Sequence, residues 1–209
     1  MIKNIFYSIL TFSILIFLAS FTVDNDIKIY PNIKLEGISI HFDSLKLLIL
    51  KESYKDSSIF DIDLGEDVEK QTFEIIAEQT NLKVYQKFET SLAISNEGGH
   101  LDLLNWKHQQ SNWIELKPKN GIKYETLKFP KNLETQFPTF TNQELIKEIQ
   151  RLSSDEGVNC TYCLLAKNVK KANDYPAYFG VSKVELKFEY QQANKLQTKY
   201  IIFYLPMGC

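Results

Sequence analysis

Two short stretches hold most of the residue types that do chemistry. The first is SNEGGHLDLLNWKHQQSNW, residues 95–113, which carries His100 and His108, two of three histidines, and both tryptophans, Trp106 and Trp113. His100 and Asp102 are two apart, so on a strand they point to one face, and His108 could return to them across a turn. A group of that kind could hold a divalent metal, or supply a general base oriented by a carboxylate, as in a metal-dependent hydrolase. No H-E-x-x-H or comparable pattern accompanies it, and such sites gather ligands from several segments. No metal, cofactor or catalytic residue is therefore assigned. A contact surface suits the stretch better. Trp106, Trp113 and Tyr124, beside Gly98-Gly99, could form an aromatic patch of the sort that protein and carbohydrate contacts use. The plain alternative is that both tryptophans are core.

The second stretch is NCTYC, residues 159–163. Asn159 is a good N-cap, which places Cys160 in a first helical turn, where the helix dipole favours the thiolate. On a regular helix Val158, Tyr162, Leu165, Val169 and Ala172 form the buried stripe, leaving Cys160 and Cys163 towards solvent. An exposed pair at this spacing could be a redox dithiol. Against that, a thioredoxin-like site has a buried strand directly before its CxxC, whereas SSDEGVN is polar. Asp155 and Glu156 would also raise the thiol pKa by like-charge repulsion. A static disulfide is the expected state outside the cytoplasm. Three cysteines leave one unpaired, and Cys209 could claim either partner. A lone CxxC lacks the second pair of ligands that structural zinc needs.

Two further candidates are weaker. Asp61, Asp63, Glu66 and Asp67 are acidic enough for Ca²⁺, but Gly65 comes one residue early for an EF-hand loop and the distal Glu is missing. His41 alternates with Ile40 and Phe42, so it is expected at the surface.

The elements that must position these residues are mostly strands. Alternation through residues 27–50, punctuated by Pro31-Asn32, Glu36-Gly37 and Asp43-Ser44, predicts two or three short antiparallel strands. Phe60, Ile62 and Leu64 continue the pattern. Residues 66–80 change period: Val68, Thr72, Ile75, Ile76 and Gln79 share a helical face behind an acidic first turn, which predicts a helix. Residues 82–95 predict an amphipathic strand, with Leu82, Val84, Phe88, Leu92 and Ile94 inward and Lys83, Lys87, Glu89 and Ser91 outward. Asn120-Gly121 signals a type I′ hairpin. Thr141 and Glu144 stand at capping-box spacing before the apolar stripe of Leu145, Ile146, Ile149 and Leu152. A further helix is expected from Asn159 to about Lys171. A hairpin closes the chain, turning between Gln191 and Gln197 and returning as the apolar, central strand KYIIFYLP.

The expected class is therefore α+β: antiparallel sheets built from meanders and hairpins, with one to three packed helices. The order of a helix followed by long meandering strands is similar to that of cystatin-like domains, a likeness of topology without a shared motif.

The N-terminal segment sets the compartment. Lys3 precedes an uncharged apolar run from Ile5 to Val23, and Asp24 and Asp26 follow. That order reads as an export signal over residues 1–23, or as an uncleaved N-terminal anchor. No cysteine follows the run, so a lipoprotein anchor is excluded. Residues 24–209 are expected as one extracytoplasmic domain, periplasmic, secreted or anchored by the N-terminal segment. A net charge of −2 with no basic stripe argues against nucleic acid as a partner. With 44% hydrophobic residues and 14 Phe the chain can build a core. The expected function is an exported, non-enzymatic binding module. Its partner would be a protein or an envelope glycan, met through residues 96–113. The alternatives are a thiol-disulfide protein using Cys160 and Cys163, and a metal-dependent hydrolase around His100, Asp102 and His108.

Overall fold

The computed structural model describes residues 32–45, 48–63, 65–77, 81–96, 99–104, 106–130, 136–156 and 161–207, with only the backbone for 153–156. Residues 1–23, expected as a signal or anchor, together with Cys160 and Cys209, lie outside the described residues.

Strands dominate. A four-stranded sheet has the order β1 (Asn32–Leu35), β2 (Ile38–Phe42), β5 (Thr72–Ala77), β10 (Lys123–Glu125). A larger sheet runs β3 (Leu48–Ser53), β4 (Ser57–Ile62), β12 (Lys195–Tyr204), β11 (Ala177–Gln192), β6 (Lys83–Asn96), β7 (Gly99–Leu103). Two short strands, β8 (Gln109–Gln110) and β9 (Ile114–Leu116), also pair with β6. Pairing is antiparallel except between β12 and β4, which are parallel. Helix α1 (Asn142–Glu156) and the short α2 (Thr161–Leu165), continued by a 3₁₀ turn at Ala166–Asn168, complete the described elements.

The large sheet has an inner and an outer face. At one end its inner face packs on the small sheet: Val84 and Phe88 of β6, Val184, Leu186 and Phe188 of β11 and Phe203 of β12 meet Ile40, Phe42, Phe73 and Ile75. At the other end Leu92, Ile94, Leu101 and Leu103 meet Leu145 and Ile149 of α1. Phe179 borders both clusters. Burial of each such side chain from water contributes roughly 1.5–3 kcal/mol, which makes this inner face the main source of stability.

Four sequence expectations change. Residues 72–77 are a strand, not a helix. Their helical spacing coincides with an alternation that buries Phe73 and Ile75, and pairing with β2 and β10 on both sides favours the strand. Lys70 also sits at φ 52, where a helix cannot continue. The helix-then-meander likeness to cystatin-like domains goes with that helix.

Next, Glu89 and Ser91 are buried at 6% and 0%, because the distal half of β6 is covered on both faces. Asn120-Gly121 does turn, closed by an antiparallel bridge between Asn120 and Lys123, but β9 and β10 on either side of it belong to different sheets, so no strand hairpin extends from it. The last change concerns the CxxC helix. Its buried positions are Cys163, Ala166, Val169 and Ala172, spaced by three. The helix gives way to a 3₁₀ turn after Leu165 and ends at Asn168, with Val169 already extended. The expected helix to about Lys171 therefore stops short, and Val169 and Ala172 are buried from non-helical backbone. That cysteine is core and does not face solvent.

The closing hairpin is as expected, with a tighter turn. Gln192 pairs with Lys195, and Ala193 and Asn194 both have positive φ, 49 and 62. This is the type I′ signature, which matches the right-handed strand twist.

Candidate functional site

Residues 99–116 form one interrupted edge strand along β6. β7 pairs with Leu92–Asn96, β8 with Glu89 and Thr90, and β9 with Val84–Gln86. The chain leaves the ladder twice between them, and each excursion carries a tryptophan. Trp106 goes to the inner side. Its ring lies 5.5 Å from Phe140, against the cluster under α1. Lys107 fixes that excursion by donating to Thr139 O at 3.3 Å and Glu144 at 3.0 Å. Trp113 goes to the outer side, 6.2 Å from Tyr200, with the Lys87 and Lys187 ammonium groups 4.9 and 5.1 Å from its ring. Tyr124 is in neither place, since it is buried and stacks on Phe73 in the small sheet. The expected single patch of Trp106, Trp113 and Tyr124 does not exist: an edge strand sends successive excursions to opposite faces.

His100 and Asp102 do share a face, with Nδ1 to Oδ1 at 3.8 Å. That exceeds hydrogen-bond reach, and among the described residues Asp102 Oδ1 has no hydrogen-bond partner. Burial pushes the Asp102 carboxyl up, with His100 acting the other way. His108 is exposed, and no described contact joins it to the pair. Among the described residues no group of three or more His, Cys, Asp or Glu could hold a metal ion. Asp61 pairs with Lys51 at 3.5 Å, and His41 Nδ1 lies 2.8 Å from Asn32 Oδ1 on the surface.

The outer face of the large sheet carries a grid of charge and aromatic side chains that single-strand patterns do not reveal. Lys183 meets Glu89 at 2.8 Å and Glu185 at 3.5 Å, Lys87 meets Glu185 at 3.2 Å, and Lys187 meets Glu189 at 2.7 Å. Lys187 also lies 4.2 Å from the Tyr85 ring. Burial works against the Lys183 cation, yet the Glu89 hydrogen bond and the adjoining carboxylates hold its pKa above the usual lysine value. Three lysines face three glutamates, so the grid is neutral. The charged side chains of the grid keep only 8–24% of their surface exposed. The segment after β12 turns over one end, where Met207 Cε approaches Gly180, and the Ser91 hydroxyl there donates to Leu104 O at 3.3 Å. The alternation of Lys and Glu along 183–189 was the signal available in the sequence.

No protein-family model, curated protein or solved structure matches this chain.

Proposed function

We propose that this chain is an exported, non-enzymatic binding module whose contact surface is the outer face of the large sheet around Trp113. The observation that carries the reading is the position of the half-buried Trp113 over Lys87 and Lys187 on the outer face of the large sheet. Aromatic side chains set among polar groups with little net charge suit contacts with protein or glycan. The order of charge and apolar run in residues 1–26 supports export.

The cysteines fit a static bridge better than redox exchange. Cys163 is core, at 7% exposure, which keeps its sulfur from solvent-borne thiols. The bridge would join it to Cys160 or Cys209. Intact mass after alkylation, with and without reduction, counts the free thiols, and one free thiol is expected.

The two tryptophans provide the functional test, because they report opposite faces. Indole N–H resonances are followed while purified envelope protein and envelope polysaccharide fractions are added separately. The Trp113 signal is expected to move with one of them while Trp106 stays. Movement of Trp106 alone, or of neither, would count against the outer face.

A further inference from the structure

At the end of the outer face away from Trp113, three adjacent strands bring Lys51, Asp61 and Tyr204 together. Asp61 and Tyr204 are direct partners across the parallel β4–β12 pair. Lys51 comes from β3, at a register shift between Leu50 and Glu52. Such a bulge adds one residue to a strand and re-aims its side chain. Here the ammonium group lies 3.5 Å from Asp61 and 5.1 Å from the Tyr204 ring centroid. Leu104 from beyond β7 and Leu205-Pro206 from beyond β12 add apolar walls. Together they line an open cleft of about 390 Å³, within the size range of small-ligand pockets. The cleft is bordered from both edges of the sheet order, since Leu104 follows β7 and Lys51 lies on β3.

We infer that this cleft is a subsite for one neutral hexose or N-acetylhexosamine unit of an envelope glycan, a reading that rests on the proposed binding function. Lys51 and Asp61 cancel in charge, and their side chains remain 51% and 40% exposed. They therefore present an ammonium donor and a carboxylate acceptor side by side with no net field. Sugar hydroxyls donate and accept at once, so they match both groups through charge-assisted hydrogen bonds. The C–H face of the ring matches the Tyr204, Leu104 and Pro206 surface. An anion would meet the Asp61 carboxylate and a cation would meet Lys51. An added peptide strand would need a continuous edge, which the register shift in β3 interrupts.

The test uses saturation-transfer NMR on the full chain, with N,N′-diacetylchitobiose and maltose as probes. Transfer to the ring protons of one of them is expected. Asp61→Asn, a change at a half-exposed position, should weaken binding roughly tenfold through loss of a charged acceptor. Tyr204→Ala should remove it, with the indole resonances showing that the fold persists. If Tyr204→Ala does not fold, Asp61→Asn decides. No transfer to either sugar overturns the subsite, as does transfer undiminished in Asp61→Asn. Sugars that stay silent while envelope material still moves Trp113 would remove the subsite and leave the binding module. Sugar bound in the cleft with Trp113 unmoved by envelope material would support the subsite and remove the Trp113 surface.

Discussion

Lys199 Nζ donates to Asp56 Oδ1 at 2.7 Å from a position that is only 1% exposed. The same ammonium reaches Lys55 O at 3.1 Å and Glu36 Oε2 at 3.3 Å, and the Tyr190 hydroxyl donates to Glu36 O. Glu36 belongs to the turn between β1 and β2, and Asp56 to the turn between β3 and β4. One buried cation therefore clamps turns of both sheets at the same end of the molecule.

Removing that cation should lower stability at neutral pH. Lys199→Met keeps the apolar stem and leaves two carboxylates that water can reach. The expected loss is about 1–3 kcal/mol, read as a lower urea midpoint at unchanged slope. The pH profile is the sharper check. Hydrogen bonding to Lys199 holds the Asp56 carboxyl below its usual 3.8. Its contribution is therefore full above that value and is lost as pH falls through the lower folded pKa. Burial opposes the Lys199 cation, but its bonds to Asp56 and Glu36 raise its pKa above 10.5. That contribution is full below 10.5 and is lost as pH rises beyond. Lys199→Met should flatten both limbs, and an unchanged profile would rule out the clamp.

The start of α1 gives a second pH-dependent case. Thr141 N donates to Glu144 Oε2 at 2.7 Å and Glu144 N to Thr141 Oγ1 at 3.2 Å, the reciprocal capping box expected from spacing. The Thr141 backbone bond, then Lys107 and the Thr141 hydroxyl, hold the Glu144 carboxyl at about 2, below 4.5. Stability from this group should be complete above pH 4.5 and disappear towards pH 2. Glu144→Gln should shrink the acid loss over that window, measured by thermal unfolding. Thr141→Ala should cost about 1 kcal/mol through the lost cap.

The tryptophans should differ in what their removal does to the fold. Trp106 packs on Phe140 beside the α1 cluster, so Trp106→Ala should cost about 2 kcal/mol or more. Trp113 lies over lysine side chains on the outer face, and Trp113→Ala should cost about 1 kcal/mol. Equal losses on chemical denaturation would contradict their assignment to opposite faces.

The Lys183–Glu89 pair should show strong coupling. Their side chains are 18% and 8% exposed, and Glu89 also accepts from Gln110 at 2.6 Å. Glu89→Ala strands a poorly solvated ammonium group and should cost about 2 kcal/mol or more. In the Lys183→Met background the same change should cost clearly less, which a double-mutant cycle measures.

The closing turn offers a stabilising change. Ala193 holds φ 49, a conformation that penalises a Cβ. Ala193→Gly should raise stability by about 0.5–1 kcal/mol, since glycine takes that conformation freely. A loss in the same denaturation assay would mean that the turn is not type I′.

Local patterns alone determined the presence of the strand at 82–95, though not the burial of its distal half, together with the capped helix opening at Thr141 and the closing hairpin. In each, the side-chain period, the cap or the turn lies within a few residues. The same local logic failed at residues 66–80, where a helical and a strand spacing coincide and only pairing with β2 and β10 separates them. It also failed at Cys163, where the helix ends at Asn168 instead of running on to Lys171, so the stripe projected on a long regular helix does not apply.

His100 and Asp102 share a face because alternation along one strand is a local property. The separation of Trp106 from Trp113, and the meeting of Lys51, Asp61 and Tyr204, are not local at all. They depend on which strands pair, where a bulge shifts the register, and which face an excursion leaves from. Those choices are made by burying the inner face of a sheet assembled from distant parts of the chain. No short window of sequence contains them.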